Sequence, residues 1–62
     1  KARRIINDLF SAFVADPRLL PPQYQEMAAA ENIARATADY IAGMTDRYSM
    51  KEHRRLFSVG EL

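Results

Sequence analysis

The stretch DYIAGMTDRYS, residues 39–49, decides how the sequence divides into helices. Its apolar and aromatic residues have helical spacing, although Gly43 lies in the middle of the pattern. The spacing continues backwards toward the alanine-rich run and predicts one helix over about residues 28–48. The residues that share its large apolar stripe are Ile33, Ala36, Thr37, Tyr40, Ile41, Met44 and Tyr48.

The other side of this predicted helix carries small residues. Ala34, Ala38, Ala42 and Thr45 lie together there, with Gly43 at the margin. A glycine in a helix interior costs roughly 1 kcal/mol relative to alanine, and this cost is tolerable where another backbone comes close. We therefore expect the helix to pack from two directions, against more protein than a chain of 62 residues supplies.

Two further helices flank the central one, which makes the predicted fold all-α. Residues 2–15 have an apolar stripe at helical spacing, and Asp16-Pro17 should end that helix because proline disfavours helical backbone in the residue before it. A proline-rich corner follows over residues 16–23. The Ser49 to Glu52 spacing has the form of a capping box and predicts a third helix over about residues 50–57, with a helix end or tail at Gly60.

Length and composition restrict the classes of protein. A chain of 62 residues forms one small domain at most. It has no cysteine, a net charge of +1, and no run near the ~20 apolar residues of a membrane span. We thus expect neither a disulfide framework nor a membrane partner. The first residue is Lys1 rather than methionine, which suggests a piece of a longer polypeptide.

Residues for metal binding or catalysis are few. His53 is the single histidine, and a hydrolytic metal site needs about three protein ligands. Asp39 and Asp46 are seven residues apart, which is about 10 Å along a helix and too far to share one ion. We expect no cofactor within this chain, a packed or solvent-facing His53, and an i, i+4 ion pair between Arg35 and Asp39.

Two groups of basic residues leave alternatives open. Arg35 and Arg47 stand on a nearly uncharged helix, and a guanidinium suits phosphate oxygens, yet Asp39 and Asp46 are available as carboxylate partners. A second group, in the last predicted helix, is explained by a solvated face more simply than by nucleic-acid binding: Lys51, Arg54 and Arg55.

The segment ADYIAGMTDRYSMKEHRRLF, residues 38–57, resembles the carboxy-terminal region of bacterial deoxyguanosinetriphosphate triphosphohydrolase-like proteins, members of the HD-domain phosphohydrolase superfamily. RRIINDLFSAFVADPRLLPPQYQ, residues 3–25, is similar to the family's penultimate helix and proline turn. The resemblance implies a cytoplasmic, oligomeric, mostly helical enzyme that cleaves a dNTP to the deoxynucleoside and inorganic triphosphate, with a divalent metal such as Mg or Mn. The family's metal ligands lie upstream of this region. Residues 1–62 would therefore be a single carboxy-terminal helical fragment without the catalytic HD core, inactive by itself.

The resemblance also implies roles for individual residues. Arg35 falls where related proteins carry a basic residue near the nucleotide phosphates, so it is the candidate for substrate contact. Asp46 and Arg47 are expected to form a scaffold pair. Tyr40 and Tyr48 are expected to pack in the core with their hydroxyls reaching polar partners. The ion-pair spacing and the small-residue side of the helix, independently of the resemblance, give Asp39 and Gly43 an expected structural role as well.

The resemblance makes the first hypothesis of function the helical part of a dNTP (dGTP) triphosphohydrolase, whose partners are the rest of the enzyme and further copies of it. The alternative, from another class, is a non-enzymatic helical protein-interaction module that binds through an exposed apolar stripe. A small basic nucleic-acid binder comes third.

Overall fold

The structure is a computed structural model that describes residues 2–58. Over those residues it contains four α-helices and one short 3₁₀ turn, with no strand. The elements are α1 (Arg3–Ala15), the 3₁₀ turn (Pro17–Leu19), α2 (Pro22–Ala30), α3 (Ile33–Ala42) and α4 (Asp46–Phe57). The all-α class is confirmed, but the expected number of three helices is wrong. The expected helix end at Gly60 lies outside the described residues.

Helix α1 follows its sequence pattern. The periodic apolar stripe turns Leu9 and Phe13 fully into the core. The helix ends at Ala15 because Asp16, which precedes Pro17, leaves helical geometry with φ −143° and ψ 89°. The prediction for this helix is therefore confirmed to within one residue at its start.

The proline-rich corner is more ordered than a linker. The Asp16 carboxylate accepts a hydrogen bond from the Arg18 backbone N–H at 3.2 Å and so caps the 3₁₀ turn. Pro22 then opens α2, since proline already has helical φ and its missing N–H has no role in the first turn of a helix. The side-chain amide of Gln25 donates to the carbonyl of Leu20 at 2.7 Å, which ties α2 back to the corner.

The predicted single helix over residues 28–48 is wrong, because the chain breaks it twice. The first break lies at Glu31 and Asn32, where the backbone leaves helical geometry. The Asn32 side chain accepts a hydrogen bond from the Arg35 backbone N–H at 2.6 Å and thereby satisfies a free donor of the next helix. This N-cap starts α3 at Ile33 and leaves α2 as a separate helix.

The second break lies between Ala42 and Asp46. Gly43 is the C-cap of α3 with φ −83° and ψ −4°, not a residue of a helix interior as expected. A Cβ at this position would meet only the carbonyl oxygens of Asp39 and Tyr40, both at 3.7 Å. That is ordinary contact, so no described neighbour requires glycine here.

Helix α4 begins at Asp46 rather than at residue 50. Thr45 is its N-cap, and the threonine hydroxyl accepts from the Tyr48 backbone N–H at 3.1 Å. The expected capping box at Ser49 is wrong, because Ser49 lies fully buried inside the helix and donates to the Asp46 carbonyl at 2.7 Å. Thr45 has a hydroxyl group like that of Ser49 and lies one turn earlier, and it caps the helix there instead.

The core forms where α3 packs against α1 and α2 and where α4 packs against α1. Its buried apolar residues are Leu9, Phe13, Leu20, Tyr40, Ile41 and Met44. The opposite side of α3, with Ala34, Ala38 and Ala42, is exposed in the described part of the chain. The side of α3 with the large apolar residues is thus packed, and packing of further protein against its small-residue side stays a prediction.

None of the helices within residues 2–58 combines the length and the apolar composition needed to cross a bilayer.

Candidate functional site

A buried polar cluster joins α3 to α4. The hydroxyl of Tyr40, which is 8% exposed, donates to the Glu52 carboxylate (Oε2) at 3.0 Å. The Tyr48 hydroxyl oxygen lies 3.0 Å from the Tyr40 hydroxyl oxygen. Because Tyr40 donates its one hydroxyl proton to Glu52, Tyr48 is the donor in this second bond. Both tyrosine hydroxyls therefore have polar partners, but Tyr48 is 41% exposed rather than packed in the core.

Glu52 is held as a charged carboxylate within this cluster. Arg55 donates from Nε to Oε1 at 2.6 Å and from Nη2 to Oε2 at 3.0 Å, a two-bond geometry that suits a guanidinium and a carboxylate. These bonds hold the pKa of Glu52 below its usual value despite its burial, and Glu52 raises the pKa of Arg55 in turn. Burial, followed by the bonds to Tyr48 and Glu52, raises the pKa of Tyr40.

Aromatic contacts fix the position of Tyr40. Its ring lies 5.4 Å from Phe13 in an edge-to-face arrangement and 4.9 Å from Tyr24. Arg55 also reaches the Leu19 carbonyl at 3.4 Å, which attaches the corner to α4. Because Arg55 and Tyr40 engage both oxygens of Glu52, this cluster stabilises the arrangement of the helices.

Arg35, the expected substrate contact, lies on the exposed side of α3. Its Nε is 3.4 Å from Oδ2 of Asp39, and the two side chains are 64% and 43% exposed. The i, i+4 ion pair expected from the sequence is therefore present, in a long and solvated form. Such a pair contributes a few tenths of a kcal/mol and leaves the guanidinium accessible to a ligand. The expected contact of Arg35 with substrate stays a prediction.

The remaining candidates lie at the connection between α3 and α4. Gly43 ends α3, and Asp46 and Arg47 begin α4 with both side chains exposed. An acidic residue in the first turn of a helix is favourable because it faces the positive end of the helix dipole. The structure thus gives Asp46 a local reason for its position, and its expected pairing with Arg47 stays a prediction.

A contact that the sequence did not reveal joins the two ends of the chain. His53 Nε2 lies 2.8 Å from Oδ2 of Asp8, 45 residues away, and the His53 ring stacks on Phe57 at 4.7 Å. Within residues 2–58 no group of three histidine, aspartate or glutamate side chains is placed to hold a metal ion. The described residues thus do not fit the ligand set of the metal centre that the resemblance implies, and His53 joins α4 to α1 as a packed side chain.

An apolar groove opens between α1 and α3. It has a volume of about 240 Å³. No charged residue lines it; the lining residues are Ile6, Phe10, Ala38, Ile41 and Ala42. By helical spacing, Arg35 and Asp39 neighbour Ala38 and Ala42 on the surface of α3 and so lie at the rim of the groove.

Comparison with known proteins gives consistent matches over the whole chain. The chain is 77% identical over all 62 residues to the deoxyguanosinetriphosphate triphosphohydrolase-like protein of Azoarcus sp. (strain BH72), and the match covers 16% of that protein. The proteins of the same name in Ralstonia pickettii (strain 12J) and Thiobacillus denitrificans (strain ATCC 25259 / T1) are 64% and 60% identical over 95% and 100% of the chain. Those matches cover 15% and 16% of the two relatives.

The chain thus spans about one sixth of the length of these curated relatives. No solved structure matches it. The family profile described as the phosphohydrolase-associated domain matches residues 1–55, which contain all four helices except the last two residues of α4. Because this match covers most of the sequence, the chain belongs to the phosphohydrolase-associated domain family.

Proposed function

We propose that this chain is the helical, carboxy-terminal associated region of a dNTP triphosphohydrolase that acts on dGTP or a related nucleotide. The products would be the deoxynucleoside and inorganic triphosphate. The observation that carries the proposal is the 77% identity, over the full 62 residues, to a relative named for this activity. We further infer a cytoplasmic homo-oligomer, in keeping with the family resemblance.

The reaction itself is assigned to the other segments of the parent protein. The described residues offer no group of three metal ligands, and the single histidine is occupied by Asp8. When bound in the parent enzyme, a divalent metal would polarise the phosphate oxygens and activate water. The role of this chain would be to support the catalytic core, and by itself it should not turn over substrate.

A segment exchange tests this function. This chain is placed in the Azoarcus relative in exchange for the 62-residue segment that it matches, and the chimera is compared with the intact relative and with a relative that lacks the segment. Deoxyguanosine and triphosphate release from dGTP are measured with Mg²⁺ or Mn²⁺. We expect the chimera to match the intact relative and the truncated protein to be inactive. Triphosphate release by the isolated chain, or an inactive chimera beside an active relative, would contradict the proposal.

Arg35 is proposed as a contact to the nucleotide phosphates. Its guanidinium is exposed and only loosely held by Asp39, so it can exchange this partner for a phosphate oxygen at little cost. In the chimera, we expect Arg35→Ala to lower kcat/KM about tenfold or more, the effect of losing one charge-assisted bond, with little change in melting temperature.

The control for this test is Arg18→Ala. Arg18 is also an exposed arginine in a local ion pair, here with Asp16, but it lies at the proline corner. Its removal should leave the kinetics unchanged. If Arg35→Ala lowers the melting temperature and leaves kcat/KM unchanged, Arg35 is a structural residue.

A non-enzymatic interaction module is the second candidate, and the open apolar groove favours it. This function predicts that the chain binds a partner protein while the truncated relative keeps full hydrolytic activity. The segment exchange described above therefore separates the two functions.

A further inference from the structure

The groove between α1 and α3 is an unfinished part of the core. Ile41 is 5% exposed and belongs to the core, whereas Ala38, one turn before it, and Ala42, the next residue, are exposed. Ile6 and Phe10 of α1 are only half-buried against the same core. The packed interior thus continues to the surface here and ends without a covering layer among the described residues.

The size and chemistry of the groove favour a packed helix over a small molecule. Its volume of about 240 Å³ lies below the ~300–1,000 Å³ of typical ligand pockets. Its lining has no charged residue and no polar side chain to orient a nucleotide. Alanines at two lining positions let another helix come close, so that one or two of its apolar side chains can enter between Phe10 and Ile41.

The extent of the groove favours an occupant from the same polypeptide. A stable contact between separate proteins involves about 20–30 residues on each side, and five residues line this groove. A covalently connected segment needs less contact because linkage raises its effective concentration into the millimolar range. The greater part of each relative lies outside the matched segment and can supply such a helix.

We propose that the groove formed by Ile6, Phe10, Ala38, Ile41 and Ala42 holds an apolar helix from the part of the parent polypeptide outside these 62 residues. The proposal rests on the proposed function, since it takes this chain as the associated region of a longer enzyme. It assigns the contact surface within that enzyme to the exposed side of α3, with the Arg35–Asp39 pair at its rim.

The test is photo-cross-linking in the chimera with the Azoarcus relative. Ala34 is exposed and lies one helical turn before Ala38 on the same side of α3, so a p-benzoylphenylalanine at position 34 probes protein packed along this side of α3, next to the groove, without filling the groove. After irradiation, the linked peptides are identified by mass spectrometry, and gel mobility separates links within one polypeptide from links between two.

We expect a cross-link within one polypeptide, from position 34 to an apolar peptide outside the exchanged segment. In a second variant that also carries Ala38→Arg, the yield of this link should fall at least fivefold because the guanidinium occupies the groove. Ala29→Arg, at an exposed alanine of α2, is the matched control and should leave the yield unchanged.

Four outcomes overturn the proposal: no link in an active chimera, a link only to a second polypeptide, links only within the 62 residues, or a link whose yield is insensitive to Ala38→Arg. If Ala38→Arg prevents folding, the partner found in the chimera without that substitution decides the question. The outcome is also independent of the hydrolysis assay. An active chimera without the link refutes the groove proposal alone, and a linked but inactive chimera refutes the proposed function alone.

Discussion

The two sides of α3 carry similar residues in opposite environments. Ala36 is fully buried, and Ala38, two positions later, is exposed. The buried side also holds Tyr40, which packs on Phe13 and Tyr24 and bonds to Glu52. The comparison teaches that small size does not tell which side of a helix is packed, because burial depends on the neighbours that the rest of the chain provides.

The difference also separates stability from association. The buried side of α3 gathers the contacts that hold the described helices together, so changes there should affect folding. The exposed side borders an apolar groove with no described cover, so changes there should affect the contact with more protein and cost the isolated chain little. Four substitution pairs test this division, in descending order of expected effect.

The largest effect is expected for Phe13→Ala compared with Phe10→Ala. Phe13 is fully buried against Tyr40, and its truncation should cost about 3–5 kcal/mol. A chain of this length has only about 3–9 kcal/mol of stability, so the variant should lose about a third or more of it. Phe10 lines the groove, and its truncation should cost about 1–2 kcal/mol. Urea unfolding followed by circular dichroism measures both, and equal costs would remove the distinction between the two sides.

A direct test compares the two alanines of α3. Ala36→Leu inserts a large side chain into a filled site and should cost about 1–3 kcal/mol. Ala38→Leu places the same side chain on the exposed side and should change the free energy of unfolding by less than about 0.5 kcal/mol. Melting temperatures of the two variants rank them, and a larger loss at Ala38 would reverse the assignment of sides.

The third prediction concerns the Glu52 carboxylate, which accepts the hydrogen bond of the Tyr40 hydroxyl. Arg55 holds the pKa of Glu52 below its ordinary value near 4.5, so the unfolded chain takes up this proton first as the pH falls. The stabilisation by Glu52 is therefore present above about pH 4.5 and is lost on acidification. Glu52→Gln should lower the free energy of unfolding by about 1 kcal/mol near pH 7. The loss is modest because Arg55 is half exposed, so that water solvates its guanidinium when the ion pair is removed. The variant should also lose less stability than the wild type as the pH falls, which we call a flatter acid slope.

Asp16→Asn is the control for that pH dependence. Asp16 also has its pKa lowered by an arginine, Arg18, but the pair is exposed at the corner. We expect this variant to keep most of the acid slope of the parent chain in unfolding experiments from pH 3 to pH 7. A wild-type slope in Glu52→Gln would show that the buried carboxylate does not control acid stability.

The smallest effect, and one of opposite sign, is expected at Thr37. Its hydroxyl oxygen is buried and has no hydrogen-bond partner among the described residues. Thr37→Val removes this unpaired group and should stabilise the chain by up to about 1 kcal/mol. Thr45→Val removes the N-cap of α4 and should destabilise it by about 1 kcal/mol. A loss of stability in both variants would indicate that Thr37 has a partner in solution.

Sequence reasoning was accurate where a local pattern had no competitor. The apolar period of α1 and the Asp16-Pro17 stop gave that helix its bounds, and the i, i+4 spacing gave the Arg35–Asp39 pair. It was wrong where two signals competed. The long apolar stripe outweighed the cap residues Asn32 and Thr45 in the prediction, although both cap a helix in the structure.

The polar contacts of the candidate site could be predicted from the sequence only in part. That Tyr40 and Tyr48 would reach polar groups followed from their chemistry, but Glu52 as the acceptor did not, since Glu52 was assigned to a capping box. The contact of His53 with Asp8 crosses 45 residues and has no local signal at all. Such pairs depend on how α1 and α4 cross, which neither helix specifies separately.

By itself, the sequence determined the helical class, the course of the first helix and, through its close match to longer relatives, the family, because these depend on spacing and residue identity along the chain. Only the tertiary structure decided where the central segment breaks, which side of α3 is buried and which residues line the open groove. These depend on free energies of packing and capping, which are set when distant segments meet.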